Sequence, residues 1–351
     1  MTSDFSYAGS PAQIVFGAGT RSAVAEWILK AGCKRALVLS TPHQKADAEA
    51  LADEIGPLAC GVFTGATMHT PVEVTEAAMK VVSETGADCV VSLGGGSTTG
   101  LGKAIAYRTN LLQIVVPTTY AGSEVTPILG QTEGGRKTTV RDAKILPEIV
   151  IYDPSLTLGL PVAMSVTSGL NAMAHAVEGL YARDRNPISS LMALEGLRAF
   201  ARSLPVIVSD PKNAEARSDA LYGAWLCGSV LGTVGMALHH KICHTLGGSF
   251  DTPHAETHAV MLPHTAAFNA TAPELAEAAG IFGGSIGGGL WDFAKAIGAP
   301  LSLKEFGLTE ADLDRAASIA VENPYWNPRP IDRESIRILL QDAWEGRRPS
   351  G

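Results

Sequence analysis

The sequence predicts two domains: an α/β domain built on a parallel sheet, then an all-α domain. Three observations lead there. Short apolar runs alternate with helical patterns from residue 13 to about residue 153. From Pro161 onward the strand pattern stops and the periodic stretches have helical spacing. The length, 351 residues, exceeds one ordinary domain. We place the domains at residues 1–157 and 158–351.

The elements follow in order. Residues 13–16 read as a strand and 21–30 as a helix. Residues 35–40 (RALVLS) are a strand ended by Thr41-Pro42. Residues 46–54 are helical, 60–63 a strand and 72–85 helical. Cys89-Val90-Val91-Ser92-Leu93 is short and largely β-branched, as a strand buried on both faces should be. It runs through Gly94-Gly95-Gly96-Ser97 into a helical pattern, where Ser97 is placed to cap the helix. Residues 112–116 are the next strand. The polar stretch 117–125 follows, and a strand over 148–152 is closed by Asp153-Pro154. In the second domain 166–181, 188–203, 213–230, 308–321 and 334–344 are helical. The glycine-rich stretch 280–289 reads equally as a helix crossing or a loop.

Composition narrows the class. The chain is 46% hydrophobic and 18% charged with 37 glycines, which is a globular composition with ample core. Its net charge of -8 is spread along the chain, which argues against a nucleic-acid partner. No apolar run reaches the roughly 18 residues of a membrane helix, so no membrane partner is expected. The start, MTSDFSYAGS, has neither a basic region nor an apolar core, so a cytoplasmic protein is expected. Five cysteines without a C-x-x-C pair read as reduced core thiols.

Parallel sheets hold ligands at the carboxyl ends of their strands. Three such ends carry small or hydroxyl-bearing residues: Ser40-Thr41, Gly94–Ser97 and Pro117-Thr118-Thr119. A glycine turn opening a helix offers free N–H groups and the positive end of the dipole to a phosphate. A tight turn alone would also use glycine. The turn is neither a G-x-G-x-x-G fingerprint nor a Walker A loop. Together the three ends point to a Rossmann-like, dinucleotide-binding domain. Ser40 stands where a carboxylate would grip the adenosine ribose and repel a 2′-phosphate. NADH is therefore the expected cofactor, with NADPH also accepted. The alternative is that Ser40 only ends its strand.

Six of the nine histidines lie between residues 239 and 264: His239, His240, His244, His254, His258 and His264. His175 stands apart, four residues after Asn171. The pairs His240/His244 and His254/His258 share that spacing, which places each pair on one helical face. A shared centre for metal or acid–base chemistry is expected, since histidine serves both.

These residues resemble the iron-containing (group III) alcohol dehydrogenases over nearly the whole chain, and within them the maleylacetate reductase branch. The glycine motif is similar at Gly94-Gly95-Gly96-Ser97 with Lys103, the Pro-Thr-Thr loop at Pro117–Thr119, and Gly-Ser-Glu at Gly122–Glu124. Lys137 matches a lysine ten residues before Pro147. The family's metal ligands, one aspartate and three histidines, match Asn171, His175, His240 and His254. Two departures, Asn171 for the aspartate and Gly100 for an aspartate after the glycine motif, resemble that branch. So do Met68–Val74, Tyr120–Pro127 and Asn327–Pro330.

The resemblance implies the dehydroquinate synthase-like fold of that family and a homodimer. It implies reduction of the C=C bond of maleylacetate, a small dicarboxylate, to 3-oxoadipate in aromatic degradation. It also implies cofactor contacts at Ser40, Gly94, Gly95, Gly96, Ser97, Thr118, Thr119 and Lys137. With Asn171 the family's site lacks an anionic ligand, so no tightly bound metal is expected. Freed histidines could then be protonated and hold a carboxylate or the oxo group. Acid and enolate-stabilising roles fall among His175, His240, His244 and His254, with His244 first for the proton. Asn171 and Tyr120 are candidate substrate contacts, and Arg329 and Lys144 are weaker candidates for carboxylate contacts that read also as surface charge. Tyr120 reads equally as a packed aromatic. The rival readings are a metal-dependent alcohol dehydrogenase or aldehyde reductase of the same family, a lyase that recycles NAD, and a dinucleotide sensor without turnover.

Overall fold

The β-branched and leucine-rich runs of the first half form a six-stranded parallel sheet. The computed structural model describes residues 13–134 and 136–350, with residues 5, 7 and 9. It has two compact units, Gly9–Leu160 and Pro161–Gly351 with Met1–Ala8. In the first, β1 (Gln13–Phe16), α1 (Val24–Lys30), β2 (Ala36–Leu39), α2 (Lys45–Ile55), β3 (Ala59–Phe63), α3 (Val72–Thr85), β4 (Cys89–Gly94), α4 (Gly96–Thr109) and β5 (Leu112–Pro117) alternate. A hairpin, β6 (Ile128–Glu133) and β7 (Arg136–Arg141), precedes β8 (Ile149–Tyr152). The sheet order is β1-β8-β5-β4-β2-β3. The chain leaves β2 toward β3 and leaves β4 toward β5, so the order reverses between β2 and β4. That reversal is where an open α/β sheet takes its ligand.

Alternate residues of the strands feed two cores. Ala36, Val38, Cys89 and Val91 pack with Val24, Ile28 and Leu51. Leu37, Leu39 and Val90 pack with Ala78, Leu101 and Ile105. Both faces are therefore covered, which is why the strands read as continuous apolar runs.

Several expectations are corrected here. Residues 21–30 begin with a 3-10 turn, Thr20–Ala23, before α1. The β6–β7 hairpin was not expected, because charged and threonine-rich strands give little apolar alternation. Ser97 does not cap α4: the helix already begins at Gly96, after Gly95 in extended backbone (φ -90°, ψ -158°). The strand turns into the helix one residue sooner than a serine cap requires, so Ser97 lies in the first turn.

The second unit is helical: α5 (Val162–Leu180), α6 (Pro187–Ser209), α7 (Ala214–Thr233), α8 (Leu238–Phe250), α9 (His254–Phe268), α10 (Ala276–Ile281), α11 (Ile286–Ala296), α12 (Glu310–Val321) and α13 (Arg333–Glu345). The glycine-rich stretch is both things considered. Gly283 and Gly284 turn the chain at φ 84° and 95°. Gly287 then sits in α11, where a Cβ would lie 2.4 Å from that of Ala267 on α9. Among the described residues no single helix is long and apolar enough to cross a membrane.

Candidate active site

In the first unit the three strand ends are stitched together. Gln44, just beyond β2, donates from Nε2 to Thr118 Oγ1 (3.1 Å). The Thr118 amide donates to the Gly94 carbonyl (3.0 Å). Gly94 is buried at φ 152°, and a Cβ there would stand 2.4 Å from Thr98 Oγ1 and 2.9 Å from Gln44 Oε1. At Gly95 a Cβ would meet Thr119 Cγ2 at 2.8 Å. Only glycine lets the Pro-Thr-Thr loop and Gln44 close this tightly over the turn. The first-turn amides of α4, at Gly96 and Ser97, have no intrahelical acceptor and suit a diphosphate.

Ser40 is fully buried, and its hydroxyl donates to the Thr41 carbonyl (3.1 Å). Tyr120 is fully buried. Lys137 lies on β7 opposite Thr132, and its side chain is outside the described residues. Lys144 is exposed.

Gly100 has a local reason. His69 and Thr70 both have positive φ, 64° and 45°, which is strained for a β-branched residue such as Thr70. Their turn brings Thr70 Oγ1 to 2.4 Å from where a Gly100 Cβ would be. Gly100→Asp, which restores the family's usual residue, is therefore expected to destabilise the fold by about 1–3 kcal/mol. Denaturant unfolding checks this, and an unchanged midpoint would refute it.

A buried cation braces the same region. Lys103 Nζ donates to the carbonyls of Ser123 and Ile128 (3.0 Å for the latter) and to Thr126 Oγ1 (2.9 Å). Glu124 is buried too and accepts from the Tyr152 hydroxyl (2.9 Å). Burial pushes the Lys103 pKa down, and Glu124 opposes that. Three acceptors need three donated hydrogens, which only the ammonium has.

In the second unit three helices bring the histidines together. Asn171, His175 and Glu178 recur on one face of α5, and all three are buried. Helix α8 carries His239, His240, Cys243 and His244, and α9 carries His254 and His258. Ring centroids are 5.2 Å apart for His175/His240, 5.8 Å for His240/His244, 5.1 Å for His240/His258 and 4.5 Å for His254/His258. His244 and His254 are exposed, while the others in this set are buried. His264, six residues past His258, is held apart from them; burial pushes its pKa down to about 4.

Glu178 organises this unit and was not picked out from the sequence. Its carboxylate accepts from the backbone N–H of Ala237 (3.0 Å), His239 (2.7 Å) and His240 (3.4 Å). It also accepts from His240 Nδ1 at 2.6 Å. The proton on Nδ1 leaves His240 Nε2 as the ring's outward atom, and it has no protein partner. The available signal was an acid one turn past His175 in an otherwise apolar helix. Tyr325 was missed likewise; its hydroxyl lies 3.4 Å from His244 Nδ1.

One expectation changes. Burial, and next the neighbouring histidines, push the pKa values of His175, His239 and His258 well down. These three are neutral rings near pH 7, not the protonated anchors expected of freed histidines. Arg329 donates to the Phe268 carbonyl (3.2 Å), and its guanidinium stacks 4.0 Å over the Phe268 ring. With the reciprocal amide pair Asn327/Asn269 (2.9 and 2.8 Å), it pins the 323–330 turn to the end of α9.

The family's iron does not fit the residues present. The matched set offers a neutral amide, Asn171, and three imidazoles with no carboxylate. Glu178 is committed to four N–H donors. Among the described residues, His175, His240 and His254 are not a group whose ligand atoms all lie within 4.8 Å of one another.

Models of two families of domains match the chain. Residues 11–154 match "Iron-containing alcohol dehydrogenase" and residues 165–344 match "Fe-containing alcohol dehydrogenase family, C-terminal". The maleylacetate reductase of Rhizobium sp. (strain MTP-10005) is 65% identical over 347 residues, covering 98% of this chain and 99% of that protein. The crystal structure of maleylacetate reductase from Agrobacterium tumefaciens is similar with a TM-score of 0.97 and 65% identity, covering 99% of this chain and 100% of that one. An iron-containing alcohol dehydrogenase from Corynebacterium glutamicum has a TM-score of 0.93 at 42% identity, covering 98% of each chain.

Proposed function

The chain belongs to the iron-containing alcohol dehydrogenase family, and from that premise we propose that it is an NAD(P)H-dependent maleylacetate reductase that works without a metal. The near-full-length match to maleylacetate reductases carries the activity. The donor chemistry at Asn171 supports the metal-free route. NADH binds at the glycine turn of the first unit, and no carboxylate after β2 repels NADPH.

Bound NADH would supply the hydride taken up by the alkene carbon β to the ketone. Electron density moves onto the oxo oxygen as an enolate. Neutral donors, the Asn171 amide and a His175 N–H, stabilise that oxygen. Neither adds negative charge beside a dianionic substrate. Glu178 fixes the His240 ring so that Nε2 faces the substrate. His244, with Tyr325 beside Nδ1, delivers the proton to the carbon next to the ketone. The product is 3-oxoadipate. The enzyme acts as a cytoplasmic homodimer on a small dicarboxylate, with no nucleic-acid or membrane partner.

The test is NADH oxidation with fresh maleylacetate, before and after exhaustive chelation, with a metal assay alongside. Full activity without stoichiometric metal is expected. Activity lost on chelation and restored by iron or zinc would replace this reading with a metal-dependent dehydrogenase. Turnover of simple alcohols but not of maleylacetate would overturn the substrate.

A further inference from the structure

One group of side chains near the histidines has no part in the reaction above. His239 and Cys243 lie four apart on α8, and His258 faces them from α9. All three are buried, with exposures of 1%, 2% and 0%. Their ligand atoms lie within 4.8 Å of one another. His239 Nε2 is 2.9 Å from His258 Nδ1 and 3.6 Å from Cys243 Sγ.

The tautomer of His239 follows from its other nitrogen. The Thr265 hydroxyl donates to the Met261 carbonyl (2.9 Å), so its oxygen accepts from His239 Nδ1–H (2.9 Å). That leaves a lone pair on His239 Nε2, aimed at Cys243 and His258. His258 Nε2 is buried with no protein partner, so this ring can carry its proton on either nitrogen without breaking another bond.

We propose that His239, Cys243 and His258 form a site for a thiophilic divalent cation such as zinc or cadmium. Zinc bonds of about 2.05 Å to nitrogen and 2.3 Å to sulfur set tetrahedral edges of about 3.3 Å and 3.6 Å. The observed 2.9 Å asks the two rings to part by a few tenths of an ångström, the observed 3.6 Å already matches, and the remaining edge lies within 4.8 Å. The ion takes the place of the proton shared by the rings. That proton stays on His258 as its Nε2–H tautomer, and the Cys243 thiol proton leaves to solvent, one per ion bound. Thiolate with imidazole selects zinc and cadmium over harder ions. The other group of this kind, Cys33, Asp88 and Cys89, is less suited. Its carboxylate already accepts from the Lys34 and Arg35 amides (2.8 and 2.9 Å).

The test uses the full-length protein, reduced and stripped of metal, titrated with cobalt as a coloured stand-in for zinc. One tetrahedral cobalt with a thiolate-to-cobalt charge-transfer band is expected, displaced by zinc. Cys243→Ser should abolish the band and weaken zinc by about tenfold or more. His258→Asn, which keeps the thiol, should weaken zinc comparably, so a misfolded serine variant leaves the question decidable. Cys33→Ser and His254→Asn should leave the band in place. Cobalt binding without a thiolate band, binding that requires His254 rather than Cys243, or no binding would each overturn the site. None of these readouts depends on maleylacetate turnover.

Discussion

Glu178→Gln is expected to lower kcat by about a hundredfold while leaving the KM for NADH near its starting value. Four N–H donors converge on this carboxylate: the amides of Ala237, His239 and His240, and His240 Nδ1. A glutamine offers one oxygen and turns an NH2 group toward donors. The His240 ring must then rotate or move its proton to Nε2, and the atom facing the substrate changes. The glycine turn proposed to cradle NADH makes none of these contacts, so NADH binding has no reason to weaken. The same carboxylate sits at the N-terminus of α8, where negative charge is favourable, so some stability is lost as well. Glu178→Asp keeps the charge and should recover part of kcat. Steady-state kinetics alongside thermal melts separate the two effects. A glutamine variant with unchanged kcat would remove Glu178 from the mechanism. A loss of kcat that merely tracks unfolding, with no recovery in the aspartate variant, would reduce it to a structural group.

Lys103→Met is expected to cost about 3–5 kcal/mol, because it removes one partner from a buried charged network. It strands the carbonyls of Ser123 and Ile128 and the Thr126 hydroxyl, and leaves Glu124 buried without its cation. Burial already pushes the Glu124 pKa up, so the lone carboxyl will protonate rather than stay charged. Adding Glu124→Gln should therefore cost less than the sum of the two single changes. The loop so braced follows Thr118 and Thr119, so the KM for NADH should rise in the variant. Urea unfolding of the two singles and the double measures the coupling. A Lys103→Met cost below about 1 kcal/mol would mean that water replaces the ammonium readily.

Much of this protein was legible along the chain, for local reasons. Strands buried on both faces show as apolar runs such as Cys89–Leu93, and their alternation with helices implied the parallel sheet. The glycine turn announced itself by composition, and the helical spacing of the histidines implied shared faces.

What the tertiary structure decided was every contact made across long stretches of sequence. Glu178 meets its donors 59 to 62 residues away, a separation over which local pattern carries no signal. Burial pushes the pKa values of His175, His239 and His258 well down, and only the packed chain decides which rings are buried. Arg329 stacks over Phe268 at the end of α9, a contact between residues 61 apart that no local pattern signals. Ser97 lost its capping place because β4 turns into α4 at Gly95 and Gly96, a matter of backbone geometry rather than residue type. Residue chemistry and spacing are local, whereas desolvation and pairing belong to the packed chain.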